Sequence, residues 1–282
     1  MSKIAIVTDS TSDIPKDMVG KYQITSVPLS VIFEEETFLD DGKQITTEEF
    51  YKKLRSAEKL PTTTQPTPGD FVDVYNDLLV DHDRILSIHI SKKMSGTINS
   101  AEMAKQQMPD APIEIIDSEF VHMPLGFLVL EAARLSAADR PYDDILSSIE
   151  DLKSRVKELF VPSTLEYLKK GGRIGKAKGL IASLLEIKPI LTIHDGEVSQ
   201  FKTARRWNKA KTEILNSMEA IIEDPTKLIV SVGDSDTEED GAEMYDRIKE
   251  KFSPKEIFRV NVGAVVGTHL GPGGITISFY EK

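Results

Sequence analysis

The feature that most constrains the fold is an alternation of short β-rich runs with helical segments in the first half of the chain. Runs rich in Val and Ile lead into turn residues, and a capped helical pattern follows each of them. We predict strands at 3–8, 84–90 and 113–116, with helices between them. Because crossover helices join parallel strands, this alternation predicts an α/β protein with a parallel sheet.

The second half of the chain carries a different signal. Asp195-Gly196 separates the β-rich runs 188–193 and 198–203, which is typical of a β-hairpin. Further strands and helices then alternate toward the end of the sequence. We therefore predict two domains: an N-terminal α/β domain at 1–160 with a parallel sheet, and a C-terminal mixed α/β domain at 161–282.

Four local predictions depend on turn residues and caps. Residues 61–66 are rich in Thr and Pro and are predicted to form a loop, after which Thr67 and Pro68 begin a helix. A later helix is predicted to continue to about residue 158. His269 is predicted to lie in a glycine-rich loop over 267–274, between two late strands.

The charge is distributed unevenly along the chain. The formal net charge of −11 disfavours a nucleic-acid-binding protein, which needs a basic face. Residues 1–150 hold 14 basic and 26 acidic side chains, whereas residues 151–282 hold 21 and 20. The stretches 169–178 and 202–211 contain five cations each and no acid. A solvated face is the ordinary explanation of such runs, but the three glycines in the first stretch are not typical of a solvated helix.

Several chemistries are disfavoured by the residues that the sequence lacks. There is no cysteine, which removes disulfides, thiolate nucleophiles and cysteine-based zinc sites, and a reducing cytoplasm is the expected location. The five histidines have no metal-ligand spacing, so we expect no metal and no cofactor. Phosphate-binding glycine motifs and the nucleophile elbow are also missing. No apolar run approaches the ~20 residues that cross a bilayer.

Two segments could bind an anion. Ser95-Gly96-Thr97 at a helix start combines a hydroxyl with the positive end of a helix dipole, which suits a carboxylate or a phosphate. Helix capping is the alternative role for Ser95. His269 could donate a hydrogen bond to an anion or serve as a structural residue, and the sequence leaves both roles open.

Several of these segments together resemble the DegV family, whose members look like bacterial fatty-acid-binding proteins. The segments occur in the family's order and span nearly the whole chain. They are Thr8-Asp9-Ser10-Thr11-Ser12-Asp13-Ile14-Pro15, Thr62-Thr63-Thr64-Gln65-Pro66, Ser95-Gly96-Thr97, Ser100-Ala101, Asp117-Ser118, 165–175, 188–191 and 267–273. The Gly-Gly-Arg-Ile-Gly segment within 165–175 and the His-x-Gly-Pro-Gly segment within 267–273 are the most specific.

The resemblance implies a two-domain protein that holds one long-chain fatty acid between its domains, with the tail in an apolar tunnel. The family's carboxylate-binding positions correspond to Thr63, Ser95 and His269, with Thr64 and Gly96 adjacent. No residue of the chain is expected to be catalytic. Two hydroxyls, an imidazole and a helix N-terminus can replace the water that a carboxylate loses on binding.

The resemblance also implies a partner. Family members act as the binding subunit of fatty-acid kinase and present the carboxylate to a separate ATP-dependent subunit that makes an acyl phosphate. Arg173 is implied to lie near the surface that meets this kinase. The chain departs from the family pattern at Thr64, where Ser is commoner, and at Lys92 and Lys93. The register of its 202–206 segment leaves either Lys202 or Arg205 as the cation that approaches the carboxylate.

Two alternative functions are kept. An acyl hydrolase could use Ser95 with His269 and either Asp9 or Asp117 as a triad, although the chain lacks the elbow motif. A carrier for another apolar acid, with no kinase partner, is the third hypothesis.

Overall fold

The computed structural model describes residues 3–183 and 187–282, which form two compact units. The first unit contains the residues up to Thr46 together with Pro61–Ser154. The second contains Thr47–Leu60 and Arg155–Lys282. The grouping therefore assigns the short segment Thr47–Leu60 to the second unit, whereas the sequence predicted a continuous domain up to residue 160.

Strands and α-helices alternate along both units. The strands are β1 (Ile4–Asp9), β2 (Thr25–Val27), β3 (Ser30–Phe33), β4 (Glu36–Leu39), β5 (Thr62–Thr64), β6 (Arg84–His89), β7 (Ile113–Asp117), β8 (Lys157–Val161), β9 (Ile187–His194), β10 (Glu197–Arg205), β11 (Leu228–Ser235), β12 (Glu256–Asn261) and β13 (Gly274–Glu281). The α-helices are α1 (Lys16–Lys21), α2 (Thr47–Ser56), α3 (Pro68–Leu79), α4 (Thr97–Gln107), α5 (Met123–Ala137), α6 (Tyr142–Arg155), α7 (Glu166–Lys170), α8 (Trp207–Ile221), α9 (Glu238–Phe252) and α10 (Ala264–Leu270). Short 3-10 helices occupy Ser10–Ser12, Gly175–Ser183 and Pro225–Lys227.

The first unit is built on a four-stranded sheet with the order β2-β1-β6-β7. Its strand pairs are parallel, which confirms the prediction of a parallel-sheet α/β fold. Val7 of β1 and Ile85 of β6 pack with Phe71 of α3 in the core of this unit. Because the strands are parallel, their carboxyl ends share one edge of the sheet, and this edge carries Asp9 and His89.

A small antiparallel sheet with the order β4-β3-β5 accompanies the parallel sheet. Thr63 of β5 lies opposite Val31 of β3. The prediction of a loop over 61–66 is therefore wrong for 62–64. These threonines extend because β3 offers a pairing edge, and Thr is well suited to a strand once a partner exists.

The second unit contains a six-stranded mixed sheet with the order β10-β9-β8-β13-β11-β12. The β11–β12 pair is parallel, and β13 pairs with both of its neighbours in the antiparallel direction. Met218 of α8 and Met244 of α9 pack on one face of this sheet against residues such as Ile277. The mixed α/β character predicted for the second half is confirmed.

Two predictions based on turn and capping residues are confirmed. Asp195 and Gly196 join β9 to β10 with φ angles of 51° and 73°, as a two-residue hairpin turn requires. Thr67 caps α3 by accepting from Asp70 N at 3.2 Å, while the Asp70 carboxylate accepts from Thr67 N at 2.7 Å.

Two predictions about later segments of the chain are wrong. The helix predicted to reach residue 158 ends at Arg155, and β8 follows, with Leu159 and Val161 packed in the core. The segment around His269 is not a loop up to Leu270, because α10 spans Ala264–Leu270. Its Gly267 faces the rings of Phe50 and Tyr51, which leave no room for a side chain. This glycine serves helix packing rather than a turn.

Candidate functional site

A buried carboxylate organises the sheet edge of the first unit. Asp9 is fully buried, and its Oδ1 accepts from Thr11 N at 3.1 Å and from Thr11 Oγ1 at 2.5 Å. Its Oδ2 accepts from Ile90 N at 3.0 Å and lies 2.9 Å from His89 Nδ1. The turn after β1 is thereby joined to the end of β6, from which the loop toward Ser95 departs.

Ser95 lies in that loop, just before α4. Its N–H donates to Ser91 O at 3.1 Å, and its Oγ is 2.9 Å from Thr97 Oγ1. The Oγ also accepts weakly from Thr97 N at 3.4 Å. The Ser95 hydroxyl, one residue before the N-cap Gly96, therefore contacts the first N–H of α4 while the residue stays partly exposed. Both roles considered for Ser95 are compatible with this geometry.

The Thr63–Thr64 segment is connected to the start of α4 through Gln65, the residue that follows it. Thr63 is half-buried and Thr64 is exposed on β5, and Gln65 follows them directly. A side chain on Gly96 would come within 2.5 Å of Gln65 Nε2, so the Gln65 amide lies against the Gly96 backbone. The first unit thus brings the Thr63–Thr64 segment and the Ser95–Gly96 segment together.

His269 lies in the second unit, in the last turn of α10. Its imidazole packs against Gly171 at the end of α7. Burial, and secondarily the positive charge of Arg173, lower the pKa of His269 from 6.5 to about 4. The imidazole is therefore neutral at pH 7 and can donate one hydrogen bond while accepting another.

Arg173 is exposed and close enough to His269 for its positive charge to lower the pKa of the imidazole. Its Nη1 donates to Gly171 O at 2.7 Å, which anchors the guanidinium over the loop that ends α7. The second unit thus brings together the two residues that the sequence assigned to different tasks. A neutral donor and a permanent cation side by side suit an anionic group.

The two cations left open by the sequence are in different situations. Lys202 Nζ donates to Glu213 Oε1 at 2.7 Å and to Ser217 Oγ at 3.1 Å, so it is held against α8. Arg205 is exposed at the end of β10. Lys92, one of the departures from the family pattern, lies 3.6 Å from Asp117 and is also exposed.

Two residues near the candidate site were missed at the sequence level. Gln65 lies on Gly96, and the ring of Tyr167 lies against Gly271. Each stands inside a segment already singled out, Gln65 after the threonines and Tyr167 before the paired glycines. Their position inside segments typical of the family is the sequence signal that could have identified them.

Neither a metal-binding cluster nor a membrane-spanning helix occurs among the described residues. Over 3–183 and 187–282, no three His, Asp or Glu side chains are grouped so that they could hold a metal ion. Within the same residues, no helix combines the length and the apolar character needed to span a membrane.

The family model described as "Uncharacterised protein, DegV family" matches residues 3–282. The chain belongs to the DegV family. It is 36% identical over 282 residues to a DegV domain-containing protein of Caldanaerobacter subterraneus subsp. tengcongensis, covering 100% of both chains. It is 34% identical over 281 residues to protein DegV of Bacillus subtilis, covering 99% of each.

Solved DegV structures share the fold throughout. A DegV family protein from Thermus thermophilus, described by its fatty acid binding, matches with a TM-score of 0.94 and 35% identity, covering 100% of both chains. DegV from Bacillus subtilis, described as a fatty acid binding protein, matches with a TM-score of 0.91 and 33% identity over 100% of both chains. A stearic acid-binding protein from Eubacterium ventriosum matches with a TM-score of 0.90 and 29% identity, covering 100% of this chain and 99% of the other.

Proposed function

We propose that this DegV protein binds a long-chain fatty acid. The observation that carries the proposal is its match, over the whole chain, to the fatty acid binding DegV protein of Thermus thermophilus. The fold is shared at a TM-score of 0.94, and 35% of the residues are identical.

The proposed ligands of the carboxylate are Thr63, Ser95 and His269, with Thr64 and Gly96 beside them. Removing a carboxylate from water is unfavourable by several kcal/mol unless hydrogen bonds replace the lost hydration. Two hydroxyls and an imidazole N–H supply such bonds, and each is stronger when its acceptor is charged. An acyl chain adds ~0.8 kcal/mol for each buried CH₂, which favours long chains.

Extraction of the purified protein with organic solvent, followed by mass spectrometry, tests the proposal. We expect about one acyl chain per protein, and a protein that carries none and takes up none contradicts it. Ser95→Ala and His269→Ala should each lower the acyl content and leave the fold intact. Ser147→Ala and His194→Ala are matched controls, since Ser147 is on the exposed face of α6 and His194 is exposed beside Asp195.

We further propose that the protein is not an enzyme by itself and presents the carboxylate to a separate fatty-acid kinase. In that reaction a carboxylate oxygen attacks the γ-phosphorus of ATP and ADP leaves, so the nucleotide chemistry belongs to the partner subunit. Arg173 is the proposed docking residue. Its exposed guanidinium beside a neutral imidazole supports this role, because it can meet an acidic surface or a phosphate.

Reconstitution with a fatty-acid kinase ATP-binding subunit tests the partner. Arg173→Ala is expected to keep its bound acid and to lower acyl-phosphate formation, whereas Arg140→Ala, an exposed arginine paired with Asp144, should not change it. Equal turnover of the Arg173 variant and the unchanged protein would reject the docking role. No cofactor is proposed, and a cytoplasmic location is inferred from the ATP-dependent partner and the cysteine-free composition.

Of the two cations that the sequence left open, Lys202 and Arg205, we propose Arg205 as the one that approaches the carboxylate. The ammonium of Lys202 is already hydrogen-bonded to two residues, Glu213 and Ser217. Arg205 is exposed and, among the described residues, no ion pair holds its guanidinium. Arg205→Ala is therefore expected to weaken acid binding or phosphorylation more than Lys202→Ala does.

The acyl-hydrolase alternative finds no support. Asp9 is buried and accepts all of its hydrogen bonds within the first unit, and Asp117 Oδ1 accepts from Glu119 N at 3.0 Å. Ester hydrolysis lost in Ser95→Ala would revive the alternative. A carrier for another apolar acid would be recognised by extraction of that acid in place of a fatty acid.

A further inference from the structure

Gly171 occupies a position where the His269 ring fills the space that a side chain would take. It is the C-cap of α7, and a Cβ there would overlap His269 Nδ1 and lie 3.0 Å from both His269 Cε1 and the backbone oxygen of Tyr167. The imidazole fills the space that any other residue at 171 would need. The His269 ring therefore packs directly against the backbone of Gly171, the C-cap of α7.

The backbone of Gly171 does not itself require glycine. Its φ of −74° and ψ of −5° are available to any residue. The following Gly172 has a φ of 73°, where glycine is favoured, and a Cβ there would meet nothing within 4 Å. Glycine at 172 therefore allows the backbone conformation of the turn, whereas glycine at 171 leaves space for the His269 ring.

Gly171 also contacts the residue proposed to meet the kinase. Its carbonyl oxygen accepts from Arg173 Nη1 at 2.7 Å. One residue therefore touches the imidazole through its Cα and the guanidinium through its oxygen. A shift of this backbone would move both groups.

A ring from α7 also packs on the glycine that ends α10. A Cβ on Gly271, the C-cap of α10, would overlap the ring of Tyr167 on α7. Each helix end therefore provides a glycine that receives a ring from the other helix. This reciprocal packing sets the ring of His269 against the end of α7 and the ring of Tyr167 against the end of α10.

We propose that Gly171 is a positioning residue that orients the His269 imidazole and couples it to Arg173. This inference rests on the proposed function, because it assigns Gly171 a role in placing the carboxylate donor. Gly171→Ala is expected to displace the ring, because the φ and ψ angles of residue 171 suit alanine and the imidazole is the group nearest to the added methyl.

The experiment measures fatty-acid affinity with a fluorescent long-chain acid. The variants are Gly171→Ala, His269→Ala, the double variant and Gly179→Ala. Gly179 is the matched control, since it is exposed and a Cβ there meets nothing within 4 Å. We expect Gly171→Ala to weaken binding about tenfold, as loss of one hydrogen bond to a charged group would. Gly179→Ala should bind like the unchanged protein.

The double variant distinguishes positioning from general damage. If Gly171 acts through His269, Gly171→Ala should have no further effect on affinity once the ring is removed. Additive losses, or a Gly171→Ala protein that binds as well as the unchanged protein, would overturn the proposal. Failure of the unchanged protein to bind any fatty acid would instead reject the proposed function.

Two further readouts keep the test decisive. The His269 ring resonances in NMR spectra should shift in Gly171→Ala and stay in place in Gly179→Ala, and unmoved resonances would contradict positioning. If Gly171→Ala fails to fold, the double variant should regain the melting temperature of His269→Ala, since removing the ring makes room for the methyl group. A double variant that also fails to fold would overturn the proposal.

Discussion

His89 Nδ1 lies 2.9 Å from Asp9 Oδ2, and both side chains are fully buried. The other ring nitrogen, Nε2, is 2.7 Å from Ser87 Oγ, which is in turn 2.9 Å from the hydroxyl of Tyr75. This chain of hydrogen bonds joins the end of β1 to β6 and α3. Because Asp9 also holds the turn at Thr11 and accepts from Ile90 N, the pair anchors the turn after β1 and the start of the loop that leads to Ser95.

Asp9→Asn should destabilise the first unit strongly. An amide group would direct N–H donors toward groups that themselves donate, and each buried group left unsatisfied typically costs about 1 to 3 kcal/mol. Urea unfolding should show this loss. Asp110→Asn, at an exposed position, is the control and should stay within ~0.5 kcal/mol of the unchanged protein. Equal midpoints for the two variants would contradict the anchoring role.

The lowered pKa of His269 predicts a dependence of stability on pH. The folded protein holds this ring neutral down to about pH 4, whereas the unfolded chain protonates it near 6.5. Since the unfolded state binds the extra proton, the His269 contribution to stability rises as pH increases from about 4 to 6.5 and is constant above. The full change is on the order of 3 kcal/mol.

The measurement is urea unfolding of the protein and of His269→Gln across that pH range, without added fatty acid. The difference in free energy of unfolding between the two should change in favour of the unchanged protein as pH rises. A difference that is independent of pH would show that His269 titrates alike in both states.

Lys211 forms ion pairs with two carboxylates in the second unit. Its nearly buried Nζ donates to Asp240 Oδ1 at 2.7 Å and to Glu243. Burial opposes the charged form of Lys211, but these two carboxylates outweigh it and raise its pKa. Hydrogen bonding from Lys211 lowers the pKa of Glu243. We expect Lys211→Met to lose about 1 to 3 kcal/mol at pH 7.

That loss should shrink as pH falls through the carboxylate range. Carboxylates with lowered pKa contribute stability above their unfolded pKa and lose it on protonation. Unfolding curves at pH 7 and pH 3 test this, with Lys209→Met, at an exposed position on the same helix, as control. A loss of equal size at both pH values would mean that the charge pair contributes little.

Removal of the bound acid should lower the melting temperature. A ligand at a hundred times its Kd stabilises a protein by about 2.7 kcal/mol, so delipidation on a hydrophobic resin should be visible in a thermal scan. Addition of the free acid should restore the melting temperature. The methyl ester of the same acid is the control, because it lacks the charge that the proposed donors recognise, and equal rescue by ester and acid would argue against a carboxylate site.

The sequence predicted those elements whose signals are local. The Asp195-Gly196 turn and the Thr67 cap need only neighbouring residues, and both were found where expected. Alternating apolar runs sufficed for the parallel sheet. The Ser95–Gly96 helix start was recognised for the same reason, because its hydroxyl and glycine are adjacent in the chain.

The errors arose where distant residues decide. The helix was predicted to continue to about residue 158, into the first residues of β8, because the mostly buried run of β8 lacks alternation. Its neighbours β13 and β9 define it as a strand. Gly267 reads as a loop residue until Phe50 and Tyr51 are seen packed against it. The contact between Gly171 and His269 joins residues nearly a hundred positions apart. No local sequence pattern predicts such a contact.

The strand order of the second unit has a consequence for how the protein is made. β13 lies between β8 and β11 in the sheet but follows every other strand in the sequence. Until β13 is synthesised, β8 can pair with β9 and β11 with β12, but no strand joins these two pairs into one sheet. We therefore expect the sheet of the second unit to be completed only after β13 has emerged from the ribosome, later than the sheets of the first unit.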